Sequence, residues 1–222
     1  MKYMKTMIKY INCIMMMLIL ICVMGHKINV LADDDTVSAN DSEIVDDAMQ
    51  ESSQYELYVN SGLGVVTVYE NMPDGTREAI KAFACSCGKA HGHNTPMGTY
   101  ATSEYYRWRK MIDGTYAQYA VRINNLIMFH SVPYKEMRPD SLKWSSYNKL
   151  GTKASLGCIR LAVADVKWIY DNCPEGTKTV VYEDMEEVLP IEKPETFKLI
   201  YDMPYRFWDP TDPDENNPWN KD

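Results

Sequence analysis

The chain has 222 residues, with 23 Lys and Arg against 31 Asp and Glu, a net charge of −8, and 45% hydrophobic residues. That length holds one well-buried domain with tails, and two full domains would be cramped. An acidic chain without a basic patch excludes nucleic acid and an anionic lipid surface as partners.

The first 32 residues read as an export signal. Lys2, Lys5 and Lys9 form a basic start, Ile11–Gly25 is apolar and uncharged, and Val30-Leu31-Ala32 supplies small residues before Asp33. The apolar run is shorter than the roughly 18–20 residues of a membrane span. Cleavage leaves no stable span, and the alternative is an uncleaved anchor. Ile21 before Cys22 is too large for a lipoprotein signal. Without residues 1–32 the balance is 19 basic to 31 acidic residues, a net −12. Residues 33–54 are acidic and Ser-rich, a solvated linker.

From Tyr55 the pattern turns to β. Tyr55–Val59 and Leu63–Tyr69 are rich in β-branched and aromatic residues, Met72-Pro73-Asp74-Gly75 is a turn, and Glu78–Cys87 resumes as a strand. Gly88–Gly98 is a loop. Strands follow at Thr99–Met111 and Tyr116–Ile123, then a hairpin at Asn124-Asn125, with Leu126–Val132 as its second arm. Alternation along that arm puts Leu126, Met128 and His130 on one face. Asp140–Leu150 is a candidate short helix, Leu161–Asn172 a better one, and Lys178–Tyr182 the last strand. Asp165 falls in the first helical turn, where a carboxylate suits the dipole. The expected domain, residues 55–184, is mainly β, a sandwich or barrel-like fold with one or two short helices. Residues 185–222 are a tail dense in Pro, Asp and aromatics, either loose or strapped to the surface.

Four cysteines remain past the signal: Cys85, Cys87, Cys158 and Cys173. They are too few in a chain this long for a disulfide framework. Cys173 ends a helix and reads as core. Cys158 sits in Ser155-Leu156-Gly157-Cys158-Ile159-Arg160. There Gly157 lets backbone approach a substrate, Arg160 adds positive charge, and a helix start follows. A thiol acts as a nucleophile only as thiolate, and a strand-end His130 is the candidate base. No carboxylate lies near it in sequence, so a backbone carbonyl such as that of Ser131 is the candidate to hold its tautomer.

Phe129-His130-Ser131, followed by Ala154–Leu161, closely resembles the signature of the YkuD-type L,D-transpeptidases. Thr95-Pro96-Met97-Gly98 and the closing strand resemble further family motifs, so the likeness runs from about Tyr55 to Tyr182. It implies a mainly β enzyme acting on peptidoglycan stem peptides, as donor and acceptor, without a cofactor. In that reading Cys158 attacks the third stem residue, expels D-Ala, and holds a thioester. An amine then takes the acyl group to form a 3→3 cross-link. His130 is the implied base, the Ser131 carbonyl orients it, the Gly157 and Cys158 amides form the oxyanion hole, and Arg160 has a structural or carboxylate-binding role. Leu156 stands where the family usually has a second histidine. The stretch after His130 is longer than usual, and Trp144 and Tyr147 within it are read as a lid over the donor groove. Leu156, Ser155, Arg160, Trp144 and Tyr147 are the expected substrate-binding residues. Alternatives are an L,D-carboxypeptidase that hydrolyses the same thioester, and a non-catalytic wall-binding domain. Cys85, Cys87, His91 and His93 have soft-ligand spacing, but a metal is not expected. Alternation puts the two cysteines on one strand face, and the family places a substrate-side turn at this loop.

Overall fold

The computed structural model describes residues 53–221. The expected signal and nearly all of the linker lie outside them. Nine strands form two sheets: β1 (Tyr55–Asn60), β2 (Val65–Asn71), β3 (Arg77–Ala84), β4 (Gly98–Ala101), β5 (Tyr105–Lys110), β6 (Tyr116–Arg122), β7 (Met128–Ser131), β8 (Ile159–Leu161) and β9 (Lys178–Tyr182). The first sheet runs β3-β2-β1-β9-β4 and the second β5-β6-β7-β8. The expected mainly β fold is therefore observed. Two helices accompany it, α1 (Trp144–Tyr147) and α2 (Val163–Asn172). Among the described residues no helix is long and apolar enough to cross a membrane.

Alternation drives the layering. Leu57 and Val59 of β1, and Val66 and Val68 of β2, are fully buried, and Phe83 closes the same core from β3. Val166, Ile169 and Cys173 recur at helical spacing along one side of α2, all buried. That side packs on β6 and β7.

The expected strand at Thr99–Met111 is two strands in different sheets. Between them Thr102 donates its hydroxyl to the Pro174 carbonyl at 2.6 Å and its amide to Thr177 at 2.9 Å, while Ser103 binds the Arg122 carbonyl at 2.8 Å. The chain crosses from sheet to sheet there without a Gly or Pro to announce it. β8 is too short to read from periodicity.

The C-terminal segment is strapped down. Leu199 is buried, and Asn148 clamps it by donating to its carbonyl at 2.7 Å and accepting its amide at 2.8 Å. Phe207 accepts the Leu142 amide at 2.8 Å. The long stretch after His130 thus serves as the platform for this strap. Tyr147 is buried at 3% exposure and belongs to the core, and Trp144 packs against that core. Neither lines the cavity described below. The expected lid is corrected accordingly: apolar side chains on one face of a short helix go to the larger apolar surface, which here is the core under the strap.

Candidate active site

Two short parallel strands build the site. β7 pairs with β8 so that Phe129 faces Ile159, His130 faces Arg160 and Ser131 faces Leu161. Partners in a parallel pair project to the same side, which sets His130 beside Arg160. Cys158 lies two residues before Arg160 and therefore returns to that side. His130, Cys158 and Arg160 line one open cavity of about 860 Å³, together with Met128 and Leu156. Leu126, expected on the same strand face, instead sits in the hairpin loop at 81% exposure and lines the mouth.

His130 is 1% exposed, and its Nδ1 lies 2.6 Å from the Ser131 carbonyl oxygen. A carbonyl only accepts, so Nδ1 carries the proton and Nε2 keeps its lone pair. Burial and the Arg160 charge push the imidazole pKa down to about 4, against the opposing pull of the Ser131 carbonyl. Burial pushes the Cys158 thiol up, while the Met128 amide and Arg160 pull it down. The resting pair is a neutral thiol and a neutral imidazole. Cys158 Sγ–H points to the Leu126 carbonyl at 3.7 Å, and among the described residues no hydrogen bond joins the sulfur to His130.

The loop before Cys158 is fixed from below. Ser155 is fully buried: its hydroxyl donates to the Cys158 carbonyl at 2.5 Å and accepts the Gly157 amide at 3.0 Å. It shapes the loop and does not line the cavity, which corrects its expected role as a substrate contact. The Gly157 amide is likewise committed to Ser155, while the Cys158 amide has no partner in the described network. Gly157 has φ 122°, and a Cβ there would lie 3.0 Å from Ile127 Cδ1. Thr95 ties the loop across the sheet, accepting the Gly88 amide at 2.9 Å and donating to the Gly157 carbonyl at 2.7 Å.

Residues 54–181, more than half of the chain, match the YkuD family, described as the L,D-transpeptidase catalytic domain. This chain belongs to the YkuD L,D-transpeptidase family. It is 42% identical over 93 residues to a Bacillus subtilis protein provisionally named L,D-transpeptidase YciB, a match covering 39% of this chain and 46% of that relative. Solved structures similar to it include an L,D-transpeptidase from Mycobacterium smegmatis, with TM-score 0.47 and 22% identity over 59% of each chain. Another, from Mycobacterium tuberculosis, has TM-score 0.45 and 24% identity over 59% of this chain and 58% of that one. The chain thus spans about half of the lengths of these relatives.

In this YkuD domain Leu156 is 43% exposed on the cavity wall. Arg160 Nε is buried without a hydrogen-bond partner among the described residues. Cys85 and Cys87 are buried with their sulfurs 3.8 Å apart, while His91 and His93 are exposed, so the four do not converge. Among the described residues no group of three or more acidic, His or Cys side chains is arranged to hold a metal. The sequence did not point to the other charged residues of the cavity, Arg109 and Lys110 on β5, Asp113 on the β5–β6 turn and Arg122 on β6. Their sequence signal is charge at strand ends and in a turn, which elsewhere means solvation.

Proposed function

We propose that this chain is an exported cysteine acyltransferase that cross-links peptidoglycan, with residues 1–32 as its signal, 33–54 as its linker and 55–184 as its catalytic domain. The observation that carries the reading is His130 with its Nδ1 occupied by Ser131, sharing a cavity with Cys158. Substrate entry displaces the sulfur from the Leu126 carbonyl. His130 Nε2 takes the thiol proton as sulfur attacks the carbonyl of the third stem residue. The Cys158 amide donates to the oxyanion, and the Gly157 amide stays with Ser155 to hold the loop. Collapse expels D-alanine, which takes the proton from His130, and leaves a thioester. The amine of a second stem then attacks the thioester carbonyl as His130 removes its proton; collapse breaks the carbon–sulfur bond, leaves the amide cross-link, and returns the proton from His130 to the Cys158 thiolate.

The wall supports an anionic donor. Among the described residues four cations, Arg109, Lys110, Arg122 and Arg160, line the cavity with one acid, Asp113, and Arg122 is also paired with Glu104 at 2.9 Å, in a chain whose net charge is −8. Arg160 Nε, unpartnered and buried, suits a stem carboxylate. Leu156 makes the acceptor side apolar where a second histidine is usual. No cofactor enters the scheme.

Intact mass after exposure to a carbapenem tests it. The wild type gains one covalent adduct and Cys158→Ala gains none. An unmodified wild type overturns the enzyme reading, and an equally modified mutant overturns Cys158. With a disaccharide-tetrapeptide, dimers mean transfer and tripeptide alone means hydrolysis.

A further inference from the structure

β6 and β7 pair at their hairpin end, Val121 with Phe129 and Arg122 with Met128, and meet again beyond β7 at the bridge Tyr116–Tyr134. Between these points the ladder is broken beside His130. Tyr119 there has φ 49°, a left-handed conformation that a residue with a side chain keeps only when its surroundings enforce it. A side chain closes the gap: Ser131 Oγ accepts the Gln118 amide at 2.8 Å and donates to the Val132 carbonyl at 3.0 Å. The carbonyl of this same Ser131 fixes His130 Nδ1.

Gln118 is held at its other end as well. Its Nε2 donates to the Tyr134 hydroxyl at 3.0 Å and to Asp212 Oδ2 at 2.7 Å, and its Oε1 accepts from Arg107 at 2.6 Å. Gln118, Ser131 and Tyr134 are fully buried and Asp212 is 1% exposed. Asp212 is pinned in turn, accepting the Asp214 amide at Oδ1 at 3.1 Å, with its carbonyl taking the Asn217 side chain at 2.7 Å. It lies on the C-terminal strap, outside the stretch that matches the family.

We propose that Asp212 is a positioning residue for His130, acting through Gln118 and Ser131. With both ends anchored, Gln118 cannot pivot, and the irregular β6–β7 ladder stays where the Ser131 carbonyl meets Nδ1–H. Without Asp212, one Nε2–H is buried with no acceptor. Gln118 then moves to satisfy it, and the β6–β7 seam moves with it: the regular pairing of Gln118 with Trp108 and of Ser131 with Leu161 holds each strand from its outer edge, and the β6–β7 ladder does not reach this point. The inference rests on His130 being the base.

The test compares Asp212→Leu, Asp212→Asn and Leu199→Ala in the full chain. Each is read by the carbapenem acylation rate and by the His130 Nδ1–H proton resonance. Asp212→Leu is expected to slow acylation about tenfold or more, with apparent affinity changed less than about twofold, and to broaden the Nδ1–H signal. Asp212→Asn keeps an oxygen facing Gln118 and restores most of the rate. Leu199→Ala loosens the strap elsewhere, so it loses stability but keeps its rate per folded molecule. Should Asp212→Leu fail to fold, Gln118→Met removes the same donor from inside the domain and is expected to show the same two losses. Wild-type acylation and an intact resonance in the folded Leu or Met variant overturn the proposal. If the wild type itself is not acylated, the base reading fails, and the resonance alone decides whether Asp212 positions His130.

Discussion

His130 and Cys158 are both disfavoured in their charged forms by burial; the Arg160 charge adds to this at His130 and opposes it at Cys158. The base must be neutral to accept a proton, and it becomes protonated below its own pKa. With that pKa near 4, acylation is expected to stay level through neutral and mildly acidic pH and to fall only toward pH 4. Arg160→Gln removes a charge that opposes the imidazolium, so the acid limb moves up in pH, toward the usual 6.5. A rate profile between pH 4 and 8 measures this, and an unmoved limb refutes the electrostatic role of Arg160. Linkage has a matching sign. The unfolded chain binds a proton at His130 that the folded one refuses, so stability falls as pH drops from 6.5 toward 4. Ser155→Ala removes its hydroxyl bonds to the Gly157 amide and the Cys158 carbonyl, which hold the peptide groups on either side of the Gly157–Cys158 link. Acylation is expected to drop about tenfold or more. An unchanged rate means that the loop keeps its shape without that hydroxyl.

At the scale of elements, α2 shows why a helix start cannot be judged from its own residues. Asp165 sits in the first turn as the sequence predicts, yet its carboxyl is pushed up to about 7 by burial and by Asp209. The amides of that turn are taken by the strap: Val163 N–H donates to Asp209 Oδ2 at 3.0 Å, and Ala164 N–H to Thr211 Oγ1 at 3.1 Å. The helix is capped from 46 residues away. Asp209→Ala is expected to cost about 1–2 kcal/mol in urea unfolding. Asp165 is the reverse case. Its folded pKa lies above the ordinary carboxylate value, so its stabilising contribution belongs to low pH and is lost as pH rises through about 7. Asp165→Asn is therefore expected to raise the unfolding midpoint more at pH 7.5 than at pH 5. An equal gain at both pH values argues against a titrating Asp165.

At the scale of the whole molecule, two elaborations that look separate in sequence form one structure. The stretch between β7 and β8 carries Leu142, Tyr147 and Asn148, and residues 185–221 lie across it through Leu199 and Phe207. The strap further supplies the α2 cap and the acceptor for Gln118. Ending the chain after Asp184 removes all of these at once. The expected loss is about 3 kcal/mol or more, since burying a leucine such as Leu199 is by itself worth about 2–5 kcal/mol. Thermal unfolding of the shortened chain checks it, and an unchanged midpoint means that the domain stands without its strap.

The sequence by itself determined most of the β elements, because period-two burial is local, but it neither separated β4 from β5 nor showed β8. It also determined the family, because Phe129–Ser131 and Ala154–Leu161 keep their order and chemistry. It marked Cys158 and His130 for the same reason. Only the tertiary structure decided how they are held. The register of β7 on β8 places Arg160 beside His130, Ser155 occupies the Gly157 amide, and Trp144 and Tyr147 turn to the core. The meeting of Arg109, Lys110 and Arg122 with Cys158 in one cavity, and the Asp212–Gln118 contact, join segments far apart in the chain. Hydrogen bonds and charges act over a few ångströms of space, and a linear pattern holds no record of which distant groups folding brings that close.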